Sequence, residues 1–265
     1  MGLRAQALSD RRVATHRAPG GCPESDAVRR LEGGRRSGRA AQWPRTGLLP
    51  DTAAVALLPP LRRSFYARDS RRVAADLIGC RLVHRLESGE RLAVRLVEVE
   101  AYLGDGTDPA AHSHRGPTPR NQTMFGPPGR LYAYRIYGLH TCVNVVCGAR
   151  GQGAAVLLRA AEPLEGLEVM RQLRGLPDEA APELLTRGPA RLAQALGLTL
   201  AHDGHSLLRG SLRLHPPADE DRPDPIQTGP RVGISQARDL PYRYFEGGSR
   251  WVSAFRSGGR TGRRS

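Results

Sequence analysis

Two carboxylates, Glu98 and Glu100, close the run RLAVRLVEVEAY (91–102), and the phenol of Tyr102 follows two residues later. In a strand, alternate residues line one face, so Leu92, Val94, Leu96, Glu98, Glu100 and Tyr102 are expected to share a face that starts apolar and ends polar. A carboxylate there is costly unless it is hydrogen-bonded, and one at the mouth of a cleft can serve as a general base. The competing reading is that both glutamates emerge into solvent as the strand leaves the core. The next loop carries His112 and His114. Tyr132, Tyr134 and Tyr137 fall within six residues; the first two share a strand face and the third adjoins Gly138 at a turn. Such rings either pack as ordinary core or offer a platform for a nucleobase, with one ring free to enter a base stack. Asn144, inside a valine-rich run, and Arg159, ending a buried strand, both need polar partners, whether structural or from a ligand.

Regular elements must hold these groups. The first is expected to be a short helix, with Asp69 or Ser70 as N-cap, RRVAADLI as body and Gly79 as stop. Strands 80–86 and 91–102 flank the hairpin turn SGE, a Gly- and Pro-rich loop covers 104–129, and 130–137 pairs with 141–148 around Gly138–His140. AAVLLRA (154–160) reads as a further buried strand. Helices are expected over PLEGLEVMRQLRG, with Pro163 in its first turn, and over GPARLAQALG (188–197), with Pro189 at its start. Residues 201–228 read as a strand or two with acidic loops, and GPRVGIS (229–235) and YRYFEGGSRWVS (242–253) as closing β structure.

The chain has 265 residues, 39% of them apolar, and a net charge of +14 carried by forty arginines and no lysine. Residues 1–64 hold twelve arginines against five acids, and 256–265 hold four arginines and no acid. Residues 1–60 are therefore expected to be a disordered basic extension and 256–265 a flexible Arg-rich tail, enclosing one mixed domain over 61–255. The extension reads as a phosphate-tracking arm, as an idle tail, or as the product of a start placed too far upstream. A basic balance points to a polyanionic partner, although most of it lies in the two ends. The four cysteines, at 22, 80, 142 and 147, show no zinc spacing and no secretory framework, which suggests reduced thiols, a cytoplasmic protein and no metal. No apolar run approaches the roughly 20 residues of a membrane span.

Seven blocks taken in order resemble the alkyladenine (3-methyladenine) DNA glycosylases. They are VEVEAYLG (97–104), AAHS (110–113), TPRNQTMFGPPGRLYAYRIYG (118–138), CVNVV (142–146), AAVLLRAAEPLEGLEVMRQLR (154–174), RGPARLAQALG (187–197) and RVGIS (231–235). They run from residue 97 to residue 235, 139 of the 265 residues. The resemblance implies an α+β domain: a curved, largely antiparallel β-sheet, flanking helices and a protruding, DNA-inserting β-hairpin. It implies a monomer, without cofactor or metal, that works on double-stranded DNA containing damaged purines in the bacterial nucleoid. By position, Glu100 matches the base that activates water, and Arg159 an active-site residue near that water and the target phosphate. Tyr102, His112 and Tyr134 match the residues that hold a flipped base. Tyr137 matches the wedge that fills the vacated space, and Asn144 the residue that disfavours guanine. Glu98 is read as support. Leu139 stands where the family often has Met, Thr141 where an aromatic is common, and His114 is an addition beside His112. Without lysine the chain lacks a side-chain amine for Schiff-base chemistry, so an intact abasic strand is the expected product. The rivals are a non-catalytic nucleic-acid-binding module, which would not need Glu100, and a nucleoside hydrolase, which would have no use for a Tyr wedge.

Overall fold

A computed structural model describes residues 57–223 and 225–254. The expected extensions therefore lie outside the described residues, apart from 57–60, where the Leu58 carbonyl meets Nδ1 of His215 at 2.7 Å.

Helix α1 (Arg63–Tyr66) and helix α2 (Ser70–Leu77) come first. The Asp69 side chain caps α2 by accepting from Arg71 N–H at 2.9 Å, as its place before an amphipathic run suggests. Strands β1 (Arg81–Arg85) and β2 (Arg91–Tyr102) form a hairpin, β3 (Leu131–Ile136) and β4 (His140–Cys147) a second, and β5 (Ala154–Glu165) follows. Helices α3 (Leu167–Arg174), α4 (Glu183–Thr186) and α5 (Pro189–Ala195) lead to three short strands: β6 (Leu212–His215), β7 (Ile226–Gly229) and β8 (Arg243–Glu246). All pairings are antiparallel, in the order β3-β4-β5-β2-β1-β6, with β8 joining β2 to β7. This is the expected α+β fold with a curved antiparallel sheet. Helices α2, α3 and α5 bury their apolar sides in the core that covers one sheet face.

β2 is the spine of the sheet. Its first half, Arg91–Arg95, pairs with β1, while Glu98–Glu100 pairs with β8. The change of neighbour coincides with register shifts against β5 on either side of Glu98. Such a bulge moves every later side chain to the opposite face. Leu92, Val94 and Leu96 lie in the core, and beyond the shift so do Val99 and Ala101. The expectation that Glu98, Glu100 and Tyr102 share the face of Leu92 is thereby corrected: they lie on the other side of the sheet.

Pro163 also departs from expectation. It stands in β5 opposite Val94, at a register shift, rather than in a helix. A residue without N–H fits where the ladder is already broken. The helix waits for Gly166, whose φ of 81° is left-handed and whose Cβ would fall 2.5 Å from Leu92 Cδ2. Residues 230–242, expected in part as β structure, are irregular.

Candidate active site

On the sheet face away from the helices, alternate residues of four adjacent strands come together. They are Tyr132 and Tyr134 from β3, Asn144 from β4, Leu157 and Arg159 from β5, and Glu98, Glu100 and Tyr102 from β2. A cavity of about 420 Å3 opens above them, with Tyr102, His112, Tyr134, Asn144, Arg159 and Val232 in its wall. The volume lies in the roughly 300–1,000 Å3 range of small-molecule sites.

Glu100 is fully buried and does not itself surface in the cavity; its three partners do. Its Oε2 accepts from the Tyr102 hydroxyl at 2.9 Å. Its Oε1 accepts from Val232 N–H at 2.7 Å and lies 3.4 Å from Arg159 Nη1. Burial raises its pKa above the ordinary 4.5, because desolvation outweighs the opposing pull of Arg159, the Val232 amide and the Tyr102 hydroxyl. Such a carboxylate is a stronger base than an exposed one.

Glu98, equally buried, is displaced the other way. Burial raises its pKa too, but Arg159, Arg243 and the Ser253 hydrogen bonds together bring it below the ordinary value. Its Oε1 accepts from Arg159 Nε at 3.0 Å, Arg243 Nε at 2.7 Å and Ser253 Oγ at 2.9 Å, and its Oε2 from Ser253 N–H at 2.7 Å. One glutamate is thus saturated by ionic partners, while its neighbour two residues on is only partly compensated. Neither emerges into solvent, and Arg159, tied to both, links them.

The cavity's side wall is aromatic. Tyr132 and Tyr134 stack with centroids 5.5 Å apart, and His112 meets Tyr134 edge-on at 4.6 Å. His112 Nδ1 lies 3.2 Å from the Tyr132 hydroxyl. Poor hydration among these rings, and then the Arg120 charge, lower the imidazole pKa below 6.5, which favours a neutral ring. Asn144 is buried, and its Nδ2 donates to the Tyr132 carbonyl at 3.3 Å. Tyr102 lies under the Arg231 guanidinium, 4.6 Å from its centroid.

Tyr137 occupies the tip of the β3–β4 hairpin. It and Gly138 have φ of 51° and 72°, and Leu139 N–H bonds back to the Ile136 carbonyl at 3.3 Å. Two consecutive positive-φ residues make the tight turn favoured in hairpins, but for a tyrosine that backbone is strained. Tyr137 is 84% exposed and Leu139 83%. Exposed apolar side chains at a tight turn beside a cavity are costly in water and suit insertion into something apolar.

Every residue singled out in the sequence therefore lines the cavity or touches a residue that does, except His114, which faces a neighbouring hollow. Sequence reasoning missed four contributors. The Val232 amide is a backbone donor, so no side chain announced it. Arg231, fully buried, makes a bidentate pair with Asp108 at 2.6 and 2.8 Å and fixes the segment that bears that amide. Arg243 and Ser253 come from 145 and 155 residues beyond Glu98. The buried arginine of RVGIS was the one available signal. Among the described residues no cluster of three or more His, Cys, Asp or Glu is placed to hold a metal ion, and no helix is long and apolar enough to cross a membrane.

Comparison with known proteins gives concordant matches. The family model described as methylpurine-DNA glycosylase matches residues 64–250. A protein of Methanoculleus marisnigri named "Putative 3-methyladenine DNA glycosylase" is 54% identical over 195 residues, covering 73% of this chain and 98% of the relative. Proteins of the same name from Rhodopseudomonas palustris, strain BisB18, and Nitrosospira multiformis are 51% and 50% identical over 201 and 181 residues. These cover 76% and 68% of this chain, and 94% and 87% of the relatives.

Proposed function

Because the chain belongs to the methylpurine-DNA glycosylase family, we propose that it removes methylated purines from duplex DNA by extruding the damaged nucleotide and hydrolysing its glycosidic bond with water activated by Glu100. The chain is a DNA glycosylase of DNA repair. The observation that carries the finer reading is a buried, basic carboxylate behind an aromatic cavity, with a strained, exposed tyrosine at the tip of the hairpin that forms one wall.

In a stacked duplex the glycosidic bond is out of reach, and swinging the nucleotide out costs a few kcal/mol. Tyr137 offsets part of that cost by filling the gap. The base enters between His112, Tyr134 and Tyr102, and a purine made cationic by alkylation gains roughly 0.5–2 kcal/mol from the ring faces. Asn144 crowds the exocyclic amino group of an undamaged guanine. Water replaces the Tyr102 hydroxyl at Glu100 Oε2. As the bond from C1′ to the base nitrogen breaks, its electron pair leaves with the base and neutralises the alkylated ring. The water oxygen bonds C1′ and its proton passes to Glu100. Arg159 stays charged beside Glu100 and orients it. A deaminated purine such as hypoxanthine fits the same walls but needs a proton on leaving. The protein acts as a monomer and without metal. With no lysine in the chain, no side-chain amine attacks C1′, so the strand stays whole.

Duplexes carrying one defined lesion each test this reading. Base release from 3-methyladenine or 7-methylguanine duplex is expected, with strand cleavage only after alkali and no adduct trapped by borohydride. Release from free nucleoside alone would overturn the DNA-directed reading, and a trapped adduct the hydrolytic one.

Tyr137→Ala is expected to weaken binding to a fully paired lesion duplex while losing much less on a lesion flanked by unpaired bases. Comparing the two affinities checks this, and equal losses would reduce Tyr137 to a packing role.

A further inference from the structure

Arg159 stands between the two buried glutamates, and its orientation decides which nitrogen Glu100 meets. In a guanidinium the Nε–H and one Nη2–H point the same way along one edge, while Nη1 lies off that edge. Here Nε donates to Glu98 Oε1 at 3.0 Å and Nη2 to Ser253 Oγ at 3.3 Å, which leaves Nη1 turned to Glu100 Oε1 at 3.4 Å. Glu98 holds that edge at a single point, and rotation about it would carry Nη1 away from Glu100. The Ser253 hydroxyl supplies the second point. It also donates its own proton to Glu98 Oε1 at 2.9 Å, so one hydroxyl serves both partners at once.

Ser253 is itself firmly held. It follows Trp251, which is buried with Val97 and Ala160, the residues next to Glu98 on β2 and to Arg159 on β5. The Val252 carbonyl accepts from Arg187 Nε at 3.1 Å and the Ser253 carbonyl from Arg243 Nη2 at 3.4 Å, while Ser253 N–H donates to Glu98 Oε2 at 2.7 Å. The segment 251–253 is thus fixed to both strands that carry the charged groups, yet Ser253 is not part of the cavity wall. A polar group set in place before substrate arrives costs no reorganisation during the reaction.

From this placement we infer that Ser253 is a positioning residue of the hydrolytic centre, whose hydroxyl sets the plane of the Arg159 guanidinium and so the charge that Glu100 meets. The inference rests on the proposed function, since it takes Glu100 as the base. Burial raises the Glu100 pKa, and Arg159 is the strongest of the influences that oppose it. The other groups that share its field are Glu98 and Tyr102 on its own strand, the Val232 amide, Tyr134 on β3, Cys142 on β4 and Arg231, while Arg243 on β8 turns its Nε to Glu98. A guanidinium that drifts from Glu100 therefore lets its pKa rise further, and less of the carboxylate is ionised at a given pH.

The test compares full-length wild type, Ser253→Ala and Ser253→Thr in single-turnover base release from a 7-methylguanine duplex across a pH series. Ser253→Ala is expected to be about tenfold slower on the plateau, as befits one lost hydrogen bond to a charged group. Its affinity for a duplex bearing a non-hydrolysable abasic analogue should stay near that of wild type, and its acid limb should move to higher pH. Ser253→Thr keeps the hydroxyl and should restore both rate and limb. An acid limb that stays in place in Ser253→Ala, or a slow rate that Ser253→Thr shares, would overturn the positioning role. Glu100→Gln in the same assay separates the two readings: if it keeps the limb, the base is another group, and if it loses the limb while Ser253→Ala leaves it in place, only the role of Ser253 falls. Matching thermal melting curves check the fold. Should Ser253→Ala melt lower, the position of the limb still decides, because it does not depend on the amount of folded enzyme.

Discussion

Glu100→Gln is expected to slow single-turnover base release by about 10²–10⁴-fold while lesion-DNA affinity stays near that of wild type. The amide keeps the carboxylate's shape and can still receive the Val232 N–H, but it cannot take a proton from water. Burial also sets the pH dependence. Glu100 must be ionised to act, and its pKa lies above the ordinary 4.5. The wild-type rate should therefore fall as pH drops through a value higher than that of an exposed glutamate, and the residual rate of Glu100→Gln should lack this limb. A near-wild-type rate in the variant, or an acid limb at or below 4.5, would remove Glu100 as the base. Glu98→Gln should act differently, because it removes one of the two carboxylates beside Arg159 and the one that Arg243 Nε meets at 2.7 Å. Its main effect should be on unfolding.

The largest effect on stability is expected at Arg231. Its guanidinium and the Asp108 carboxylate are both fully buried; Asp108 also accepts from Leu103 and Ala110 N–H, each at 3.1 Å. Arg231 further donates to the Ala101 carbonyl at 2.9 Å and lies over the Tyr102 ring. Arg231→Met leaves a carboxylate stranded in a low dielectric, which costs about 3–5 kcal/mol. Arg231→Met/Asp108→Asn should recover part of that loss, because the neutral amide leaves no stranded charge and its oxygen can still accept one of the two backbone N–H groups. Burial raises the Asp108 pKa, but Arg231 and the two amides bring it below the ordinary 3.8. In wild type the pair's stabilisation is therefore complete above 3.8 and is lost as pH falls toward the lowered value. Urea unfolding of the three proteins at neutral pH measures the cost. A single-variant loss under about 1 kcal/mol would show that water reaches the pair.

Much of this was legible in the residues. The Asp69 cap, the limits of β2 and the turn at Gly138 follow from local chemistry that nothing distant overrides. Tyr132 and Tyr134 kept their common face because β3 and β4 pair without interruption. The face of Glu100 was not legible. Valines at 97 and 99, out of phase with Leu92, Val94 and Leu96, are the trace of the bulge, but unbroken alternation in VEVEAY reads equally well as a regular strand. Pro163 misled because a proline before a leucine-rich run is a good helix signal, and only the partner strand reveals the broken ladder. Val232 left no trace at all: a main-chain amide has no residue type, and its meeting with a side chain 132 positions away is a property of the whole fold.

The pairing of β2 with β8 has a consequence for how the protein comes to be. Glu98 and Glu100 enter a strand whose second half is bordered by residues 243–246, and Glu98 is neutralised in part by Arg243 and Ser253. During synthesis on the ribosome, β1 to β5 can assemble while those residues are still to be made, and in that interval the two carboxylates lack part of the ionic surroundings that hold them ionised inside the sheet. Pairings of such long sequence separation form late. The polar surroundings of Glu98 are therefore completed only by the final stretch of the domain, after the first five strands have been made.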